Sequence, residues 1–198
     1  MGKRAKQRLV LATSNPGKVV ELSELLGGYY YVEPRPPELA ETVEDGATLE
    51  ANAIKKAAEV AAATGHTSLA DDSGLFVDFL DGAPGLYTAR YAGPACNPDD
   101  NMAKLLSELE GLVGQDRRAE FRTAIAVADG QEILVAEGSV VGRIAAEPSG
   151  NGGFGYDPIF VPDEGDGLTF AEMTPDAKQQ ISHRARALTA MLSLMGLK

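Results

Sequence analysis

Four short segments of this 198-residue chain hold side chains whose types and spacing could do chemistry. The first is Thr13-Ser14-Asn15-Pro16-Gly17-Lys18. A polar turn between a strand and a helix offers backbone N–H groups and the positive helix end to an anion, and Lys18 would add a full charge. It is not a P-loop, which needs Gly five residues before the Gly-Lys pair and Ser or Thr after it. Here those positions are Ala12 and Val19, and a plain helix start has the same composition.

The second segment is Ala70-Asp71-Asp72-Ser73-Gly74, two adjacent carboxylates following an apolar run, with Glu41, Glu44, Asp45 and Glu50 upstream. Mg²⁺ takes one or two carboxylates plus phosphate oxygens and waters, and acidic pairs at strand ends supply them. Asp-Ser-Gly is also ordinary turn chemistry. The third is Gly152-Gly153-Phe154-Gly155-Tyr156-Asp157-Pro158. Glycines flanking an aromatic let backbone approach a flat ligand, the ring gives a stacking face, and Asp157 gives an acceptor. A hairpin turn with Phe and Tyr buried would look the same. The fourth is Lys178 with Ser182-His183-Arg184. Ser182 is a natural N-cap, so His183 and Arg184 fall in a first helical turn, where cations oppose the helix dipole. That placement suggests a job other than stability, the alternative being two exposed basic residues.

The elements that must position these groups follow from periodicity and turn signals. Residues 8–13 form a β-like run, residues 14–17 a turn, and residues 18–26 a helix with Val19, Leu22, Leu25 and Leu26 in phase. Residues 29–32 suggest a second strand, followed by a Pro-rich linker at 34–37. Residues 48–64 form an Ala-rich helix with Leu49, Ala53, Ala57 and Ala61 on one side and Gly65 at its C-cap. Residues 67–70 and 75–79 are strand-like on either side of the acidic segment, and a further helix covers 99–109. Two longer strands, 119–128 and 133–144, meet at Asp129-Gly130, a dipeptide that favours a tight hairpin. The glycine-rich loop 150–155 leads into strand-like 159–161. A last helix spans 182–195, with Ala185, Leu188, Leu192 and Met195 on its buried face.

Composition narrows the partners. With 18 Lys and Arg against 29 Asp and Glu the formal net charge is −11, a field that repels a polyanion and argues against nucleic acid as a ligand. A small phosphorylated molecule can still be held by a few local cations and a metal. Cys96 is the sole cysteine, so no intrachain disulfide forms, and having only His66 and His183 beside it argues against a structural zinc site. Lys3, Arg4, Lys6 and Arg8 imitate the start of a signal peptide, but the apolar stretch 9–12 is too short for one. Nothing approaches the roughly 18 apolar residues of a membrane span. The expectation is a cytoplasmic protein of one domain, or two tightly apposed lobes, spanning residues 1–198.

Together the four segments resemble the inosine/xanthosine triphosphate pyrophosphatases, whose members carry A-T-S/G-N-x-x-K, A-D-D-S-G-L, G-G-F-G-Y-D-P and S-H-R in this order. The match extends to Thr48-Leu49-Glu50-Ala51-Asn52-Ala53, Gly82-Ala83-Pro84-Gly85 and Ala89-Arg90-Tyr91, so it spans nearly the whole chain. The resemblance implies an elongated α/β fold with a long mixed sheet, two lobes with a nucleotide cleft between them, and a homodimer. It implies that Thr13, Ser14, Asn15, Pro16, Gly17 and Lys18 bind the triphosphate. Asp72 would be both metal ligand and catalytic base, and Ser73 a substrate contact. Phe154, Gly155, Tyr156, Asp157, Lys178, His183 and Arg184 would recognise the base. Glu44 is favoured as the second Mg²⁺ carboxylate, with Glu41 competing, and Arg90 is a further candidate.

The implied reaction is attack of water on the α-phosphorus of dITP, ITP, dXTP or XTP, releasing monophosphate and pyrophosphate. No activated Ser or Cys nucleophile stands out, which suits chemistry that needs positioning and electrostatics. Two other classes stay open: a house-cleaning pyrophosphatase for another modified or pyrimidine nucleotide, and a catalytically silent nucleotide binder. Retention of Lys18, Asp72 and the acidic 41–45 segment argues against the silent one.

Overall fold

The computed structural model describes residues 6–197; Lys3 and Arg4 of the basic start lie outside them. Among the described residues the chain folds into a seven-stranded mixed sheet with five α-helices. β1 (Gln7–Leu11) leads through a loop into α1 (Pro16–Leu26), and β2 (Tyr30–Glu33) returns parallel to β1. α2 (Leu49–Thr64) then carries the chain across to β3 (Ser68–Val77), parallel to β1 on its other side. α2 is bounded as its sequence dictates. Thr48 Oγ1 accepts the Ala51 N–H at 3.0 Å, a cap worth about 1 kcal/mol, and Gly65 closes the helix at φ 68°.

β4 (Pro84–Gly85) pairs antiparallel with β3, and α3 (Pro98–Glu108) follows. β5 (Arg118–Ala128), β6 (Ile133–Ile144) and β7 (Phe160–Pro162) complete the sheet, in the order β2-β1-β3-β5-β6-β7. α4 (Pro175–Ile181) and α5 (His183–Leu194) end the chain.

The chain divides into two compact units. One takes in the described chain up to Asp72, Ala124–Glu137 and the chain from Ala187 on; the other is Ser73–Thr123 with Gly138–Arg186. Each has its own core. In the first, Leu9 and Leu11 of β1, Leu22 and Leu26 of α1, and Leu69, Ile125 and Met191 pack together. In the second, Phe121, Phe160 and Phe170 gather with Leu75, Leu105, Val140 and Ile159, the Phe121 and Phe160 rings meeting edge-on at 4.7 Å.

One expectation is corrected. The acidic segment is not a turn at a strand end: β3 runs without a break from Ser68 to Val77, through Asp71, Asp72, Ser73 and Gly74. Its place inside the sheet between β1 and β5 and its burial override the turn preference of Asp-Ser-Gly. Lys178, to which the sequence assigns no element, sits on α4, a short helix signalled by Thr174-Pro175, where Thr174 Oγ1 accepts the Ala177 N–H at 3.3 Å. The β5–β6 connection is the four residues 129–132 that the strand bounds leave, and the Asp129 carboxylate tightens it by accepting the N–H groups of Gln131 and Glu132.

Candidate active site

The order β2-β1-β3 makes the chain leave β1 in one direction and return in the other, so β1 and β3 form a topological switch point. Open α/β sheets bind ligands at the carboxyl ends of such strands. The register Val10↔Ser68 and Leu11↔Leu69 places residues 13–18 just beyond β1, where β3 carries Asp71 and Asp72. Asn15 caps α1, its Oδ1 accepting the Lys18 N–H at 3.2 Å, and Pro16 starts the helix where no N–H is needed. Thr13 Oγ1 accepts the Asn15 N–H at 3.2 Å. Ser14, Asn15 and Pro16 are exposed, Thr13, Gly17 and Lys18 half-buried.

Consecutive residues on a strand face opposite sides, and the two aspartates obey this. Asp71, wholly buried, meets α1, with its Oδ1 3.0 Å from Lys18 Nζ. Asp72, 7% exposed, meets α2: its Oδ1 is 2.7 Å from Lys56 Nζ and its Oδ2 accepts from Asn52 Nδ2 at 3.2 Å. The same ammonium lies 3.0 Å from Glu44 Oε1. The loop bearing Glu44 is pinned to α2 by the Gly46 N–H, which donates to Asn52 Oδ1 at 2.8 Å. A Cβ at Gly46 would stand 2.6 Å from that oxygen, so glycine is what permits the approach. Glu41 faces Arg35 at 3.9 Å with its side chain 70% exposed. Of the two competing glutamates, Glu44 is the one beside Asp72.

These charges tune one another. Burial pushes the Asp72 carboxyl above its ordinary value, partly offset by Lys56 and Lys18. Burial alone would lower Lys56, but Asp72, Glu44 and Asp71 outweigh it and its ammonium is held above the ordinary value. Among the described residues no group of three or more His, Cys, Asp or Glu side chains gathers as a metal cage. Glu44 and Asp72 nevertheless converge on a single cation, and two hard oxygen donors are what Mg²⁺ needs when substrate phosphate and water complete its shell.

The second unit holds the other set. Ser182 Oγ caps α5 by accepting the Ala185 N–H at 3.2 Å, and the two residues after it are not exposed bases. His183 and Arg184 are 4% and 3% exposed. The His183 ring stacks on Phe121, with centroids 4.6 Å apart and planes 10° from parallel. Arg184 Nη2 reaches Ser73 Oγ at 3.3 Å, and Ser73 shares a hydroxyl pair with Thr123 at 2.5 Å. The half-buried Phe154 ring lies 5.5 Å from the Arg184 guanidinium and 5.3 Å from Lys178 Nζ.

The motif offers Asp157 as an acceptor, and in the structure the groups it accepts from are the protein's own. It is buried, and its Oδ2 accepts both the Phe154 N–H and Lys178 Nζ, each at 2.7 Å. Tyr156 likewise turns inward: its ring joins the unit core and its hydroxyl donates to the Thr88 carbonyl at 2.9 Å. Burial also pushes the Tyr156 phenol well above its ordinary value. Gly155, at φ 63°, makes the bend between the ring that stays accessible and the one that does not. Arg90, from the short 3₁₀ turn Thr88–Arg90, lies 5.2 Å from the Tyr87 ring.

Gly153 is the tightest point of this loop. It has φ 68°, and a Cβ there would stand 2.0 Å from Asp157 Oδ2. Gly153→Ala is therefore expected to destabilise the protein by about 1–3 kcal/mol, the cost of a strained left-handed residue. Urea unfolding reads this directly, and an unchanged midpoint would show that the loop yields without loss.

Sequence reasoning missed Lys56, Asn52, Thr123 and Phe121. Asn52 and Lys56 did carry a signal, being polar residues one turn apart among Leu49, Ala53, Ala57 and Val60 on the buried side of α2. Thr123 and Phe121 carried none beyond ordinary strand composition.

The model of the Ham1 family matches residues 9–194. A dITP/XTP pyrophosphatase of Desulforamulus reducens is 50% identical over 193 residues, covering 95% of each chain. Another, of Shouchella clausii, is 49% identical, covering 92% of this chain and 93% of that one. Among solved structures, the Ham1 protein of Staphylococcus aureus superposes with a TM-score of 0.83 at 37% identity, covering 96% of this chain and 98% of its own. A nucleoside-triphosphatase / dITP/XTP pyrophosphatase of Mycobacterium abscessus gives 0.73 at 42% identity, covering 93% and 98%. The resemblance carried by the sequence motifs, the matched fold and identities near one half along almost the full length lead to one conclusion: the chain belongs to the Ham1 family.

Proposed function

We propose that this protein hydrolyses non-standard purine nucleoside triphosphates, dITP/ITP and dXTP/XTP, to the monophosphate and pyrophosphate, keeping them out of DNA and RNA. The observation that carries this reading is a carboxylate–ammonium set at the switch point, in a chain about half identical to dITP/XTP pyrophosphatases. The aromatic–cation set around Phe154 suits the base of the same substrates.

In this reading residues 13–18 bind the triphosphate and Lys18 neutralises charge on the departing pyrophosphate. Glu44 and Asp72 hold Mg²⁺, which when bound supplies charge neutralisation on the phosphate oxygens. Asp72, ionised, accepts the proton of the attacking water. The water oxygen bonds to the α-phosphorus, the bond from that phosphorus to the bridging oxygen breaks, and the electron pair leaves with pyrophosphate. Phe154 stacks on the base, Ser73 contacts the substrate beside Asp72, and Lys178, His183 and Arg184 line the polar edge. Asp157 and Tyr156 position this loop from below. The whole chain serves as one catalytic domain, a homodimer acting in the cytoplasm on free nucleotides. The net charge of −11 and the free, exposed Cys96 favour that setting, and no described helix is long and apolar enough to cross a membrane.

The test is product analysis with ITP. Monophosphate and pyrophosphate are expected as first products, EDTA should stop turnover and Mg²⁺ restore it. Lys18→Ala should lower kcat by about 10²–10³, the usual loss on removing a group that stabilises developing charge. Diphosphate and orthophosphate as first products, or full turnover in EDTA, would overturn the assignment.

A further inference from the structure

Glu44 and Asp72 come from separate segments, a loop and a strand, and what brings their oxygens together is an ammonium. Lys56 Nζ lies 3.0 Å from Glu44 Oε1 and 2.7 Å from Asp72 Oδ1. A divalent cation held by those same two oxygens needs the same point. Two cations cannot share it, because their repulsion in a buried site is poorly screened.

We propose that Lys56 is the internal counter-cation of this pair: it holds Glu44 and Asp72 together in the metal-free protein and is displaced when a divalent cation binds. The proposal rests on the reading of Glu44 and Asp72 as the metal carboxylates. It makes metal binding a cation exchange rather than an addition.

The surroundings divide into a fixed frame and a movable part. Asn52 is the frame: its Nδ2 holds Asp72 Oδ2 at 3.2 Å and its Oδ1 holds the Gly46 N–H at 2.8 Å, fixing the strand and the Glu44 loop to the same turn of α2. Neither bond involves the oxygens that Lys56 touches. Lys56 is the movable part. It is 8% exposed among Ala53, Ala57 and Val60, so its charge is not there for solvation. A flexible four-carbon stem lets its ammonium withdraw without moving the helix, which the rigid fork of an arginine would not allow.

The test is calorimetric titration of Mg²⁺ alone, without nucleotide, into metal-stripped wild type, Lys56→Met and Glu44→Gln. Lys56→Met is expected to bind about tenfold tighter than wild type, since only a fraction of wild-type sites has the ammonium withdrawn. In EDTA its Tm should fall below wild type, and Mg²⁺ should raise its Tm more, because the metal relieves facing carboxylates. Equal or weaker binding by Lys56→Met, with Glu44→Gln weakened, overturns the exchange and leaves the metal pair standing. Equal binding by all three, or none by wild type, overturns the metal pair and the exchange with it. Should Lys56→Met not fold, NMR on wild type decides. The Lys56 ammonium protons, slowed by two carboxylates, should exchange faster at saturating Mg²⁺, and unchanged exchange overturns the proposal.

Discussion

If Asp72 is the base and metal ligand of the proposed mechanism, Asp72→Asn is expected to lower turnover of ITP by about 10³ or more while the protein stays folded, since general-base groups contribute about 10²–10⁴ and the substitution would weaken a metal ligand as well. The fold survives for a reason visible in the site. Asn52 Nδ2 donates to Asp72 Oδ2, and an amide oxygen can accept that bond. Lys56 keeps Glu44 at 3.0 Å. Burial already disfavours the ionised Asp72, so removing its charge recovers part of what the lost ion pair contributed. Pyrophosphate release and the thermal unfolding curve, measured on one preparation, separate chemistry from folding. Retention of more than about a tenth of wild-type activity would place the base elsewhere.

Selectivity gives the second large effect. Turnover of dITP, ITP and XTP is expected to exceed that of ATP by about 10⁴ in kcat/KM, because a site built to donate to a carbonyl leaves donors unpaired against an amine. Hypoxanthine and xanthine carry a carbonyl at the ring position where adenine carries its amino group. The donors gathered around Phe154 are Lys178 and Arg184, both buried and neither free to turn outward. Stacking on Phe154 does not depend on the identity of the base, so Phe154→Ala should weaken ITP and ATP together, by about 1–3 kcal/mol. Arg184→Ala should cost ITP more than ATP and narrow their ratio. Equal losses for the two substrates, or a wild type that prefers ATP or a pyrimidine triphosphate, would show that Arg184 and its neighbours do not read the base.

Local features were legible from the sequence because their causes lie within a few residues. The cap Thr48, the stop Gly65 and the Ala-rich repeat between them set α2, and Asn15-Pro16 sets the start of α1. Apolar, β-branched runs set β5 and β6 nearly to the residue, and motifs in a fixed order mark the family by themselves. What the tertiary structure decided was which charges meet. Lys56 and Asp72 are 16 residues apart, Lys178 and Asp157 are 21, and Lys18 and Asp71 are 53. No local preference encodes such pairs. The parallel register of β1 with β3 creates the first and last of them, by bringing α1 and α2 to opposite faces of one strand. The place of β3 between β1 and β5 turned Asp-Ser-Gly from a turn into mid-strand, and the approach of Gly46 to Asn52 holds Glu44, not Glu41, beside Lys56 and Asp72. Burial then assigned Asp157 and Tyr156 inward and left Phe154 half-exposed, a choice between identical-looking motif residues that only packing against distant chain can make.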